Sequence, residues 1–210
     1  MEKMKCALGL SPRIASLCLL TIQPAALLAL DWAQDRGHRL AKLTVTPSER
    51  NGFQLLAGRR TGVEFANRLT RQLVAKNRNL ANGSGVAIGD VDGDDLPDVY
   101  LCGLQVDNRL YRNLGDWTFE DVTIRSGVAC SRQYSTGALL ADVDGDSDND
   151  LLVTGLAKGT RLFLNDGSGR FTEKTGSGLF PKLGATSMSM ADIDSDGDLD
   201  LYVANYRTTN

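Results

Sequence analysis

Short apolar runs alternate along this chain with short polar ones, and the same order of runs returns. Apolar stretches at 86–89, 139–141 and 188–191 each end in Gly or Ala, and matching stretches at 99–101, 151–153 and 201–203 are rich in Val, Leu and Tyr. Between each pair lies a polar segment of nine residues, beginning at Asp90, Asp142 and Asp192, so the pattern recurs after 52 and then 50 residues. Residues 108–115 and 118–122 have counterparts at 160–167 and 170–174, again 52 residues on. Alternating apolar and polar positions of this length predict strands, and Asn165-Asp166-Gly167-Ser168-Gly169 predicts a hairpin turn. Four short strands in a period of about 50 residues match one blade of a β-propeller. The expectation is therefore an all-β chain of about two and a half four-stranded blades, in units at about 53–115, 116–167 and 168–210.

The polar segments carry the chemistry. Aspartates stand at positions 1, 3, 5 and 9 of each: Asp90, Asp92, Asp94 and Asp98; Asp142, Asp144, Asp146 and Asp150; Asp192, Asp194, Asp196 and Asp200. In a tightly curled segment alternate side chains converge, as they do around calcium in an EF-hand loop. Oxygen donors without His or Cys select calcium or magnesium rather than zinc or copper. Two carboxylates ~4 Å apart repel by roughly 1 kcal/mol even in water, so four that converge call for a cation. A single copy reads as well as a solvated acidic turn, but three in register favour about three calcium ions, one per loop. Position 6, which commonly holds Gly in such loops, is Gly only at Gly197; Asp95 and Ser147 stand there in the other two.

Charge follows the same division. The formal net charge of −3 conceals 15 of the 26 acids in the three loops, leaving the rest of the chain strongly basic. That remainder is scattered and carries no nucleic-acid motif, so no nucleic-acid partner is inferred. The basic residues Arg59, Arg60, Arg68, Arg71, Lys76 and Arg78 read as a solvated face or a patch.

Residues 1–30 have the form of an export signal, with Lys3, Lys5 and Arg13 ahead of an apolar run from Ile14 to Leu30. The run contains Pro24 and is shorter than the ~20 residues that span a bilayer, so no membrane span is expected after its removal. Residues 31–52 read as a linker without a clear period, leading to a first strand near 53–56. Phe65, Leu69 and Leu73 are spaced for a short helix, but the Asn-rich stretch that follows favours a loop. Cys6 and Cys18 lie in the signal; Cys102 and Cys130 could form one disulfide in an oxidising compartment or serve as small buried residues. Tyr111, Phe119, Phe163 and Phe171 recur at equivalent points and are expected in the blade cores.

Laid side by side, the loops, the Asn108-Arg109-Leu110-Tyr111-Arg112-Asn113-Leu114-Gly115 strand and its copy, and Thr61-Gly62-Val63-Glu64-Phe65 resemble FG-GAP/VCBS repeats. They are most similar to those of the exported proteins related to cartilage acidic protein, which end in an ASPIC/UnbV region that has no counterpart here. The resemblance covers about residues 53–210. It implies a calcium-loop propeller and a secreted, periplasmic or cell-surface protein serving adhesion or binding, with an extracellular protein or glycan as partner. Two and a half blades do not close a ring of the usual four to eight. The expectation is a piece of a longer protein, the other reading being an open array that pairs with a second copy.

No catalytic constellation holds. The single His38 has no partner for a triad or a metal site, and the dense carboxylates sit where a cation would keep them ionised. A non-catalytic module is expected. Two rivals remain: the scaffold part of a glycan-active extracellular enzyme, and a dockerin-like pair of calcium helices, against which the β-branched exits speak.

Overall fold

The computed structural model describes residues 53–156, 158–179 and 184–205 in full, and the backbone of 32–35, 38–41 and 206. The expected signal at 1–30 lies outside the described residues. Within 31–52, strands β1 (Trp32–Asp35) and β2 (His38–Ala41) pair as an antiparallel hairpin, where the sequence suggested no regular element. The hairpin belongs to a compact unit of its own, and residues 54–210 form the other.

The larger unit repeats one plan. Strands β3 (Val86–Gly89), β4 (Asp98–Leu101), β5 (Arg109–Asn113) and β6 (Phe119–Asp121) form a four-stranded antiparallel sheet. The second sheet holds β7 (Tyr134–Ala141), β8 (Asp150–Leu156), β9 (Gly159–Asn165) and β10 (Phe171–Glu173), in the same order. β11 (Gly184–Ala191) and β12 (Asp200–Tyr206) make a two-stranded third sheet. Every aspartate segment joins the first and second strands of its sheet. Residues 119–121 close the first sheet by pairing with β5 (Asn113↔Phe119), whereas the sequence reading began the next unit there. The period is visible in the chain, but its phase is set by which strand pairs with which.

Two expectations before the first sheet do not hold. Residues 53–57 form no strand, Phe53 and Leu55 are exposed, and no strand among the described residues pairs with them. The stretch read as a loop contains helix α2 (Arg71–Lys76), capped by Thr70, and a 3-10 turn at Arg78–Asn82. Its Leu69 and Leu73 pack against the buried Leu80, Leu104 and Leu156, so tertiary packing overrides the Asn-rich local signal. One-turn helices α1 (Gly58–Thr61) and α3 (Thr123–Ser126) end in left-handed Gly62 (φ 82°) and Gly127 (φ 76°). Gly62 lies against the carbonyl of Phe119 and Gly127 against that of Phe171, so each turn packs on the fourth strand of the sheet that follows it.

The core sits between the first two sheets. Ala87, Tyr100 and Leu110 on one side meet Ala138, Leu140, Leu151, Val153, Phe163 and Phe171 on the other. Tyr111 and Phe163 are fully buried as expected, while Phe119 and Phe171 are half-buried. Cys102 and Cys130 are buried free thiols in this core; burial pushes Cys102 up to about 12. The Tyr100 hydroxyl donates to the Val128 carbonyl at 2.8 Å and accepts from Asn108 Nδ2 at 2.6 Å, so its burial leaves no polar atom bare. The first strands of successive sheets approach closely: a Cβ on Gly85 would stand 2.7 Å from Gly137 Cα. A bulge recurs in β7 and β11, between Ser135 and Gly137 and between Ala185 and Ser187. From the first bulge Thr136 Oγ1 donates to the Ala185 carbonyl at 2.6 Å, tying the second sheet to the third.

Candidate metal centre

In each aspartate segment the first carboxylate organises the backbone. Asp90 Oδ1 accepts from Asp92 and Gly93 N–H at 3.2 and 2.8 Å, and its Oδ2 accepts from Asp95 N–H at 2.8 Å. Asp142 does the same with Gly145 and Ser147 at 2.7 and 3.0 Å, and Asp192 accepts from Gly197 at 3.2 Å. Burial pushes the Asp90 carboxyl upward, but the N–H donors of Asp95, Gly93, Asp92 and Asp94 outweigh it and hold it below the usual range. Gly145 N–H, joined by that of Ser147, does so for Asp142.

This curl needs two left-handed residues per loop, at position 4 (Gly93 φ 74°, Gly145 φ 83°, Ser195 φ 65°) and position 6 (Asp95 φ 64°, Ser147 φ 75°, Gly197 φ 98°). The absence of Gly at Asp95 and Ser147 therefore does not change the backbone path. Each loop places its glycine at one of the two positions and tolerates a side chain at the other.

The ninth aspartate ties the loop to the sheet. Asp98 accepts from Val91 N–H at 2.9 Å and Asn113 N–H at 2.7 Å; Asp150 accepts from Val143 at 3.0 Å and Asn165 at 2.8 Å. Both side chains are fully buried. Desolvation, with the charges of Asp92 and Asp94, raises the Asp98 carboxyl even though these N–H donors oppose it. In the second loop Asp144 is raised by desolvation and then by the charges of Asp146, Asp150 and Asp142. Crowding of this kind is what a bound cation relieves.

Three groups of carboxylate oxygens converge within 4.8 Å: Asp90, Asp92 and Asp98; Asp142, Asp144 and Asp146; Asp192, Asp194 and Asp200. Nine of the twelve predicted aspartates are thus brought together, and Asp94, Asp150 and Asp196 stand beside their groups. Asp94 turns its Oδ2 to Arg112 Nη2 at 2.9 Å, and Asp150 uses both oxygens on backbone N–H groups. Asp196 accepts from Asp198 N–H at 3.0 Å. Asp92 Oδ1 is buried and accepts no hydrogen bond, which, with the all-oxygen donor set, fits a hard dication at the first loop.

Sequence reasoning missed Arg112 and two asparagines. Arg112 Nε lies against Asp92 Oδ2 as an ion pair, off hydrogen-bond alignment, so the first loop carries its own counter-cation. The second loop has Leu164 at the equivalent strand position, and among the described residues no Lys or Arg pairs with it. Asn149 Nδ2 donates to the Asp90 carbonyl at 2.7 Å, and Asn165 Nδ2 donates to Val91 O at 2.8 Å and Asn149 O at 3.1 Å. These bonds brace the first loop against the second sheet. The recurrence of Asn113 and Asn165 at one point of the repeat was a usable signal.

Stacked antiparallel sheets, each with an aspartate loop between its first two strands, define a β-repeat protein with an acidic rim. A family model described as FG-GAP-like repeat matches residues 90–153 and 142–203, each match running from one loop to the exit strand of the next. The chain belongs to the FG-GAP-like repeat family. It is also similar to "Cartilage acidic protein 1" of Xenopus tropicalis, 26% identical over 153 residues that cover 68% of this chain and 24% of the relative. The protein of the same name from Homo sapiens is 27% identical over 133 residues, 61% of this chain and 20% of the relative. The chain spans about a quarter or less of the length of these curated relatives.

Proposed function

We propose that this chain is part of an exported, calcium-stabilised β-propeller, acting as a non-catalytic module that binds an extracellular protein or glycan. The observation that carries the reading is the threefold convergence of carboxylates at one connection of successive sheets. Asp90, Asp92 and Asp98, Asp142, Asp144 and Asp146, and Asp192, Asp194 and Asp200 would hold one ion each. Calcium supplies positive charge to loops whose crowded carboxylates otherwise repel, and the chain's own N–H groups keep those loops curled around it. The propeller reading is supported by the succession of first strands β3, β7 and β11 and by the repeated close approach of their backbones at Gly85 and Gly137. Export is supported by the form of residues 1–30 and by the similarity to cartilage acidic protein 1.

A calorimetric calcium titration of the full chain, with magnesium as control, tests the metal role. About three ions per chain, with dissociation constants of ~10⁻⁴ to 10⁻³ M, are expected for extracellular sites. No heat at millimolar calcium, from a chain whose circular dichroism shows folded β-structure, would overturn it.

A further inference from the structure

The ends of the sheets away from the aspartate loops carry a different chemistry. There β4 and β5 are joined by residues 102–108, and β8 and β9 by the turn that holds Lys158. At this end the chain enters β7 through Cys130-Ser131-Arg132-Gln133, a turn closed by Gln133 N–H on the Cys130 carbonyl at 3.2 Å. Arg132 sits in it at φ 64°, a conformation that costs glycine nothing and a side chain something. Two recesses of about 260 and 320 Å³ open at this turn, and Arg132 and Gln133 line both.

The smaller recess is cationic. Arg132, Lys158 and Arg161 line it with one carboxylate, Glu173, which Arg161 already holds through two bonds of 2.7 Å. Arg132 and Lys158 have no ion pair among the described residues. Gln133 is 5% exposed and its Nε2 donates no hydrogen bond, so a buried amide adds a donor that lacks an acceptor. The larger recess is amphipathic. Val106 and Tyr134 give it apolar surface and Asp107 an acceptor, while Gln105 Oε1 accepts from Thr70 N–H at 2.6 Å and leaves its Nε2 to donate. Asp107 disfavours a second anion there, so the two recesses suit a ligand charged at one end and hydroxylated at the other.

We infer that the two recesses together bind one acidic sugar unit of an extracellular glycan. Its carboxylate pairs with Arg132 and Lys158 and accepts from the Gln133 amide, its ring lies on Val106 and Tyr134, and its hydroxyls reach Asp107 and Gln105. A sugar is favoured over an acidic peptide because an acceptor and an amide donor stand beside an aromatic face, the set that hydroxyls and an apolar C–H face require together. This site rests on the binding-module reading and adds to it the class of ligand and the place where it binds.

The test is an array of oligosaccharides containing glucuronate, galacturonate or sialic acid, beside the same sugars with the carboxyl reduced to an alcohol, probed with the full chain in millimolar calcium. Binding to at least one acidic form is expected, and about tenfold or more weaker binding to its reduced counterpart, the worth of one charge-assisted contact. Arg132→Gly relieves the left-handed backbone, so it should melt no lower than the parent chain while binding falls by a similar factor, as it should in Lys158→Gln. Equal binding of acidic and reduced forms, a glutamate peptide bound as tightly as the sugar, or binding unchanged by Arg132→Gly would each overturn the inference. So would a folded chain that binds calcium but no acidic glycan, a result that leaves the calcium reading standing. Sugar binding that is lost in Arg132→Gly, from a chain that gives no heat with calcium, would sink the metal reading and keep this site.

Discussion

A single side chain decides more here than its type suggests. Asn165 satisfies two carbonyls from two different sheets while its own N–H engages Asp150. Asn165→Ala would leave the Val91 and Asn149 carbonyls unpaired, and a loss of about 1–3 kcal/mol is expected in urea unfolding. Ser147 sits in the left-handed region for which only Gly has no steric cost. Ser147→Gly is expected to gain about 0.5–1 kcal/mol in the same assay, since strain relief outweighs the added chain entropy. Arg112 predicts a difference between loops: Arg112→Leu, which copies Leu164, should tighten calcium at the first loop by about tenfold in calorimetry, because no guanidinium then competes for Asp92 and Asp94. The repeat of Asn113 and Asn165 was readable in the chain, but their partners were not, because those partners lie on another sheet. The pairing of Arg112 was likewise hidden, since Arg112 stands on β5 and Asp92 in the loop before β4, twenty residues earlier.

At the scale of elements, each of the two four-stranded sheets carries a cross-strand ion pair between its third and fourth strands. Arg161 grips Glu173 through two bonds of 2.7 Å and lies 4.8 Å over the Phe163 ring; Arg109 meets Asp121 at 3.5 Å in the equivalent place. Arg161 holds the Glu173 carboxyl below its usual range. A depressed folded-state value means stabilisation that is full above the unfolded value of ~4.3 and is lost as pH falls through the folded one. Glu173 is more than a third exposed, so Glu173→Gln should cost under about 1 kcal/mol at pH 7 and nothing measurable in acid below both values. A thermal melt at the two pH values checks this. Strands flanking the loops were legible because alternation and turn residues act locally. The stretch 53–56, expected as a strand, has no strand partner among the described residues, and α2 was outvoted locally by asparagines yet is held by Leu69 and Leu73 against the second hydrophobic cluster.

At the scale of the molecule, the proposed calcium sites would link metal to stability. Ions that bind only the folded chain stabilise it by about 2.7 kcal/mol per site at a hundredfold excess over the dissociation constant. Chelation is therefore expected to lower the melting temperature by several degrees for each loop that empties, read by circular dichroism in calcium and in chelator. The sequence by itself determined the strands that flank the aspartate loops, the curl and spacing of those loops and the period that joins them. Each of these follows from the order of apolar, acidic and turn-forming residues within a few positions. Only the tertiary structure decided that 119–121 closes the first sheet, that nine of twelve aspartates converge, and that Arg112 stands beside one loop alone. It also decided that Val91 is covered while Ile193, its equivalent, is bare. These depend on which sheet stacks against which face, and two faces with the same pattern of residues differ only in what lies across from them.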